Sequence, residues 1–71
     1  MELLTEREKS VLFNLAKGMK NIEISKTLNI SVHTTKAHLE SIYEKLGVQN
    51  RVQAAIIAVS IGLIDLKEVV R

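Results

Sequence analysis

Apolar residues recur along the chain at intervals of three and four rather than two, and the three glycines fall between the periodic segments. That pattern predicts helices separated by turns, and no proline interrupts them. Thr5 followed three positions later by Glu8 forms a capping-box pair, in which the hydroxyl accepts from a first-turn amide and the carboxylate reaches back to the cap. Helix 1 is expected over about residues 6–17. Leu12, Leu15 and Ala16 face inward with Val11 beside them, and Gly18 supplies the left-handed residue that ends the helix. A short helix 2, about 22–28, sets Ile24 and Leu28 four apart on one face, with Asn21 as its expected cap. The link Asn29-Ile30-Ser31 forces a sharp turn, after which Ser31 caps helix 3, about 32–46, and Gly47 stops it. Asn50 caps helix 4, about 51–61, which Gly62 ends. The tail from Leu63 is expected either to add a helical turn or to fray. The reading is all-α: a four-helix bundle, one domain over residues 1–71, in which helices 2 and 3 with their tight turn form a helix-turn-helix.

Helix 3 raises the question of function. At about 100° per residue, Thr35, Leu39, Ile42 and Leu46 share one side, with Tyr43 and His38 at its margins. The opposite side collects His33, Lys36, Ala37, Glu40, Ser41 and Glu44, an arrangement that also suits an ordinary solvated face. In a helix-turn-helix, however, the second helix enters the DNA major groove and its amino-terminal residues meet base edges. That assigns base reading to His33, Lys36, Ala37 and Glu40. Lysine donates to guanine O6 and N7, glutamate accepts from the cytosine amino group, and an alanine methyl packs on the thymine methyl.

Charge adds to this through its placement rather than its size. The formal net charge is only +2, but residues 17–36 hold Lys17, Lys20, Lys26 and Lys36 against Glu23 alone. Lys17, Lys20 and Lys26, around helix 2, are the expected phosphate contacts, with Thr34 donating a hydroxyl hydrogen bond. Glu23 is placed to pair with Lys20 or Lys26, or across the bundle with Lys45 or Arg51.

Helix 4 is apolar at more positions than one buried stripe requires. One side of the helix faces the bundle. Val52, Ile56 and Val59 point away and form the expected dimer stripe, the alternative being that the carboxyl-terminal tail covers them.

The segments LTEREKSVL, LAKGMKNIEIS, LNIS, TTKAHLESIYEKLGV and NRVQAAIIAVSIGLI together resemble the LuxR-type (GerE-type) helix-turn-helix domain, over roughly residues 3–64. The resemblance implies a four-helix effector domain, as at the carboxyl end of bacterial response regulators, that binds promoter DNA as a homodimer. Helix 3 then reads bases and helix 4 makes the dimer contact, with Ala54 and Ala58 matching the family's alanine positions, Ala55 beside them, on the side that lies close to the bundle. Lys36 and Ala37 match the family's base-reading positions, while Thr34, Lys36 and His38 match positions that touch the DNA backbone. Asn21 joins the phosphate-contacting set beside helix 2. RNA polymerase is the further partner of such a regulator. The chain departs from the family at Thr35, where valine is usual and where a hydroxyl is expected to bond back to the carbonyl one turn earlier. It departs again at Lys20, where serine or threonine usually caps helix 2, and at Glu40, where some members carry a basic residue.

Other classes are excluded. There is no cysteine and there are two histidines, so no thiolate or zinc centre is expected. No catalytic constellation or Gly-rich phosphate loop occurs, so no enzyme, cofactor or small-molecule ligand is expected. Seventy-one residues bury roughly 60% of their unfolded surface, which leaves a small core. The amino terminus turns charged at once, so neither a secretory signal nor a membrane span is expected, and the location is cytoplasmic. A helical protein-interaction module that has lost DNA binding is the alternative; Lys36 and the lysines around helix 2 argue against it. Phe13 and Tyr43, the only aromatics, are too few for base stacking on single strands.

Overall fold

The computed structural model describes residues 4–69; Met1–Leu3, on which the amino-terminal reading partly rests, and Val70 and Arg71 of the tail lie outside the described residues. Four helices form as expected, α1 (Glu6–Ala16), α2 (Asn21–Leu28), α3 (Val32–Leu46) and α4 (Arg51–Ser60), followed by one short turn of helix, α5 (Leu66–Val69). Among the described residues there is no strand.

Three of the four main helices begin on a side-chain cap. Thr5 Oγ1 accepts from the Glu8 amide at 3.1 Å while Glu8 Oε1 accepts from the Thr5 amide at 2.9 Å, which completes the capping box. Ser31 and Asn50 accept from the Thr34 and Gln53 amides. Helix α2 differs. Asn21 is its first helical residue rather than its cap, which corrects the expectation, and Lys20 holds the cap position. A lysine ammonium has donors only, so it accepts nothing from the first turn. Half a capping box remains: Glu23 Oε1 accepts from the Lys20 amide at 2.7 Å. Of the partners open to Glu23, it takes this backbone group.

Each of the four main helices closes with an amide just past its cap bonded back into the last turn: Met19 to Asn14 and Leu63 to Ala58 from two residues past the cap, Ile30 to Ser25 and Val48 to Tyr43 from the residue directly after it. In the helix-turn-helix link the left-handed residue is Asn29, at φ 57°, one of the few side chains that tolerate this conformation.

Helix α1 packs on α4, α3 and α2. Its Val11, Leu12, Leu15 and Ala16 join Leu4, Ile24, Leu39, Ile42, Ala54, Ala58 and Ile64 in one core. Ala54 and Ala58 are fully buried, and their small side chains let α4 lie close to the bundle. Ile64 folds into the core and Leu63 packs against it, so the start of the tail is anchored rather than frayed.

Candidate nucleic-acid interface

Helix α3 is held to the bundle by a polar clamp at each end. At its start, Thr35 is fully buried, and its hydroxyl lies 3.1 Å from the Ser31 carbonyl, as expected, and 2.7 Å from Ser25 Oγ on α2. Ser25 Oγ also lies 2.8 Å from the Asn21 carbonyl. Two hydroxyl protons thus serve three short contacts, and the pair ties the two helices of the helix-turn-helix together.

Toward its other end, α3 reaches Glu8 of α1. Lys45 Nζ donates to Glu8 Oε1 at 2.7 Å and Ser41 Oγ to Oε2 at 2.8 Å. Burial alone would raise the Glu8 carboxyl, but the Lys45 hydrogen bond, the Thr5 amide, the Ser41 hydroxyl and the Lys45 charge together hold it down at about 2, from an ordinary 4.5. Ser41 therefore belongs to the inner surface, which corrects its assignment to the outward face. Glu8 is more than a cap residue. Its spacing to Val11, Leu12 and Leu15 already put it on the buried side of α1, a signal in the sequence that the capping-box reading passed over.

With these groups turned inward, the outer surface of α3 presents His33, Lys36, Ala37, Glu40 and Glu44, all exposed, with His38 and Thr34 half-buried at its edges. Among the described residues no ion pair engages Lys36 or Glu40. Ser31 Oγ donates to Thr34 Oγ1 at 2.9 Å, which leaves the Thr34 proton free to donate outward.

Four of the six expected phosphate contacts fall into two open hollows. Lys17, Lys20 and Lys26 line one of about 740 Å³ together with Gly18, Met19, Thr27 and one acid, Glu23. The Lys17 ammonium also sits 5.3 Å from the Phe13 ring centroid. Asn21 instead shares a smaller hollow, about 230 Å³, with Lys36, Glu40, Tyr43 and Arg51. His33, Ala37, Thr34 and His38 line neither.

Arg51, outside the expected site residues, makes two hydrogen bonds across the bundle. Its Nη1 donates to Asn21 Oδ1 at 3.0 Å and its Nη2 to the Met19 carbonyl at 2.6 Å, fastening the start of α4 to the start of α2. The signal was present: a cation in the first turn of a helix opposes the helix dipole, so it calls for a specific partner.

On α4, Val52 and Ile56 are 66% and 59% exposed, uncovered by the described part of the tail. Val59 is half-buried and packs against the core, at the inner margin of the expected stripe. Among the described residues no helix is long and apolar enough to cross a membrane.

Residues 2–58 match the GerE family, described as bacterial regulatory proteins of the luxR family. The chain is 51% identical over 55 residues to the candidate HTH-type transcriptional regulator YhjB of Escherichia coli K12, covering 78% of this chain and 28% of that protein. It is 46% identical over 64 residues to the response regulator protein VraR of Staphylococcus aureus and to that of Staphylococcus epidermidis, covering 90% of this chain and 31% of each. The chain thus spans less than a third of the length of these curated relatives. The match covers the helix-turn-helix, both clamps of α3 and most of α4, and so the chain belongs to the luxR family of bacterial regulatory proteins.

Proposed function

We propose that this domain is a sequence-specific, double-stranded DNA-binding transcriptional regulator that sits on promoter DNA as a homodimer, with α3 in the major groove. The observation that carries this reading is the outer surface of α3, the second helix of the helix-turn-helix, on which Lys36 and Glu40 form no ion pair among the described residues. His33, Lys36, Ala37 and Glu40 read bases. Lys17, Lys20, Lys26, Asn21, Thr34 and His38 meet the backbone. Val52 and Ile56, with Val59 at their margin, give a twofold contact that sets two recognition helices on successive half-sites. By likeness to VraR, named a response regulator, the domain serves as the effector part of such a protein in the cytoplasm, with RNA polymerase as its further partner. The chain is not an enzyme, in keeping with a family of regulators.

The exposed Val52 and Ile56 also favour a second reading, a helical interaction module without DNA binding. Selection of bound duplexes from genomic fragments, followed by binding at several salt concentrations, separates the two. The DNA reading expects an enriched motif and a slope of log affinity against log salt of about −3 or steeper, from at least three lysine–phosphate contacts. A slope near zero or no preferred sequence sinks it.

A further inference from the structure

Arg51 and Asn21 form an arrangement that the DNA-reading surface of α3 does not account for. The guanidinium has donors and no acceptor, so the Asn21 side chain must turn its oxygen toward Arg51. Its Nδ2 is thereby turned away. Among the described residues Nδ2 makes no hydrogen bond, and no buried side-chain nitrogen is left without a partner, so Nδ2 opens to solvent. The hollow it borders is the one lined by Lys36 and Glu40.

The second arm of the fork fixes the frame. Nη2 holds the Met19 carbonyl, in the turn that leads into α2, at 2.6 Å, so the guanidinium is braced against backbone while it orients the amide. A lysine here would bring one nitrogen where the fork brings two, and would lose one of the two contacts.

We propose that Arg51 is a positioning residue for duplex binding, its guanidinium setting the Asn21 amide so that Nδ2 donates to a backbone phosphate oxygen beside the groove that Lys36 enters. This rests on the DNA reading above. Because Arg51 directly precedes Val52, the same fork joins the apolar surface of α4 to the start of α2.

The test is a double-mutant cycle on the full chain with a duplex recovered by selection, assayed well below the melting temperature of every variant. Arg51→Lys and Asn21→Ala are each expected to weaken binding by about tenfold, and the double variant to bind no more weakly than the weaker single one. Losses that multiply overturn the proposal, as does wild-type affinity in Asn21→Ala. Arg51→Gln is expected to keep the salt slope; a slope reduced by about one puts the guanidinium itself on a phosphate and overturns the positioning role. Should Arg51→Lys fold poorly, the Asn21 side-chain amide signals of the wild-type chain read the contact directly in an NMR titration. They are expected to shift on adding duplex, and unmoved signals overturn the proposal. A wild-type chain that binds no duplex at all overturns instead the DNA reading on which it rests.

Discussion

Helix α3 adds to its core residues Leu39 and Ile42 a polar clamp at each end, Ser25–Thr35 and Glu8–Lys45–Ser41, whereas α4 has one polar fork, Arg51 at its start, and along the rest of its length meets the bundle through Ala54 and Ala58. Their outward faces invert the contrast, polar on α3 and apolar at Val52 and Ile56 on α4. Hydrogen bonds have fixed partners and directions, so polar clamps specify how far α3 is rotated and slid, and hence which side chains face out. Close packing of alanines fixes distance well and rotation less strictly. A helix that must deliver named side chains to base edges needs the first kind of attachment. One that offers an apolar surface to a second copy of itself tolerates the second.

The largest effect is expected from breaking the clamp between α1 and α3. Glu8→Ala removes the acceptor of Lys45, Ser41 and the Thr5 amide together, and should cost about 3 kcal/mol, or roughly 12 °C or more in melting temperature for a domain of this size. The carboxylate is 5% exposed but Lys45 is about a third exposed, which keeps the loss at the lower end for a buried pair. The same clamp sets a pH dependence. Because folding depresses the Glu8 pKa from 4.5 to about 2, its contribution is complete above pH 4.5 and is lost as the pH falls toward 2. With solvent screening at Lys45, about 2 to 3 kcal/mol should disappear over that window. Denaturant titrations at stepped pH should show this loss in the wild-type chain and a flatter profile in Glu8→Gln. Parallel profiles would place the acid sensitivity elsewhere.

On the outer side of the same helix, Lys36→Ala should leave the melting temperature within about 2 °C, since the side chain is exposed and forms no ion pair among the described residues. Specific duplex affinity should fall by about 1 to 3 kcal/mol and the selected motif should relax at one position. Unchanged affinity together with an unchanged motif removes α3 from the reading role.

Ile56→Glu addresses the other half of the contrast. The monomer should keep its stability to within about 0.5 kcal/mol because the side chain is already largely in water. Footprints should shrink from paired half-sites to single ones, with affinity for a paired site reduced about tenfold. Wild-type sedimentation and footprint would show that α4 is not the contact.

The limits of these four helices were legible because caps, glycines and apolar spacing act locally, within a turn or two of chain. What stayed hidden is non-local. Lys45 and Glu8 lie 37 positions apart and Arg51 and Asn21 lie 30 apart, and nothing in either local pattern names the partner. Ser41 was placed outward because a small polar side chain at the edge of a wheel is ambiguous until a buried carboxylate is known to face it. Spacing groups Val59 with Val52 and Ile56 but does not show that it also packs partly against the core. Asn21 was read as a cap from its side chain's preference for that role, while Glu23 bonding back to the Lys20 amide set the helix start one residue earlier.

The smallest effect is expected at Thr35, where the family's usual valine offers a near-isosteric replacement. Removing a buried hydroxyl usually strands its partner. Here it does not, because Ser25 keeps the Asn21 carbonyl at 2.8 Å as the acceptor for its one proton, and the Ser31 carbonyl already accepts from the Thr35 amide at 3.0 Å. The existing chain has two protons for three contacts, so deleting one hydroxyl leaves one proton for one contact. A buried methyl then fills the space without a polar atom to satisfy. Thr35→Val should therefore change stability by less than about 1 kcal/mol in either direction, measured by denaturant titration, and leave duplex affinity unaltered, because Leu39, Ile42 and the Glu8 clamp still hold α3 in place. A loss above about 2 kcal/mol would mean that the Ser25–Thr35 contact carries the α2–α3 angle by itself, and that the helix-turn-helix depends on this clamp as heavily as α3 depends on Glu8.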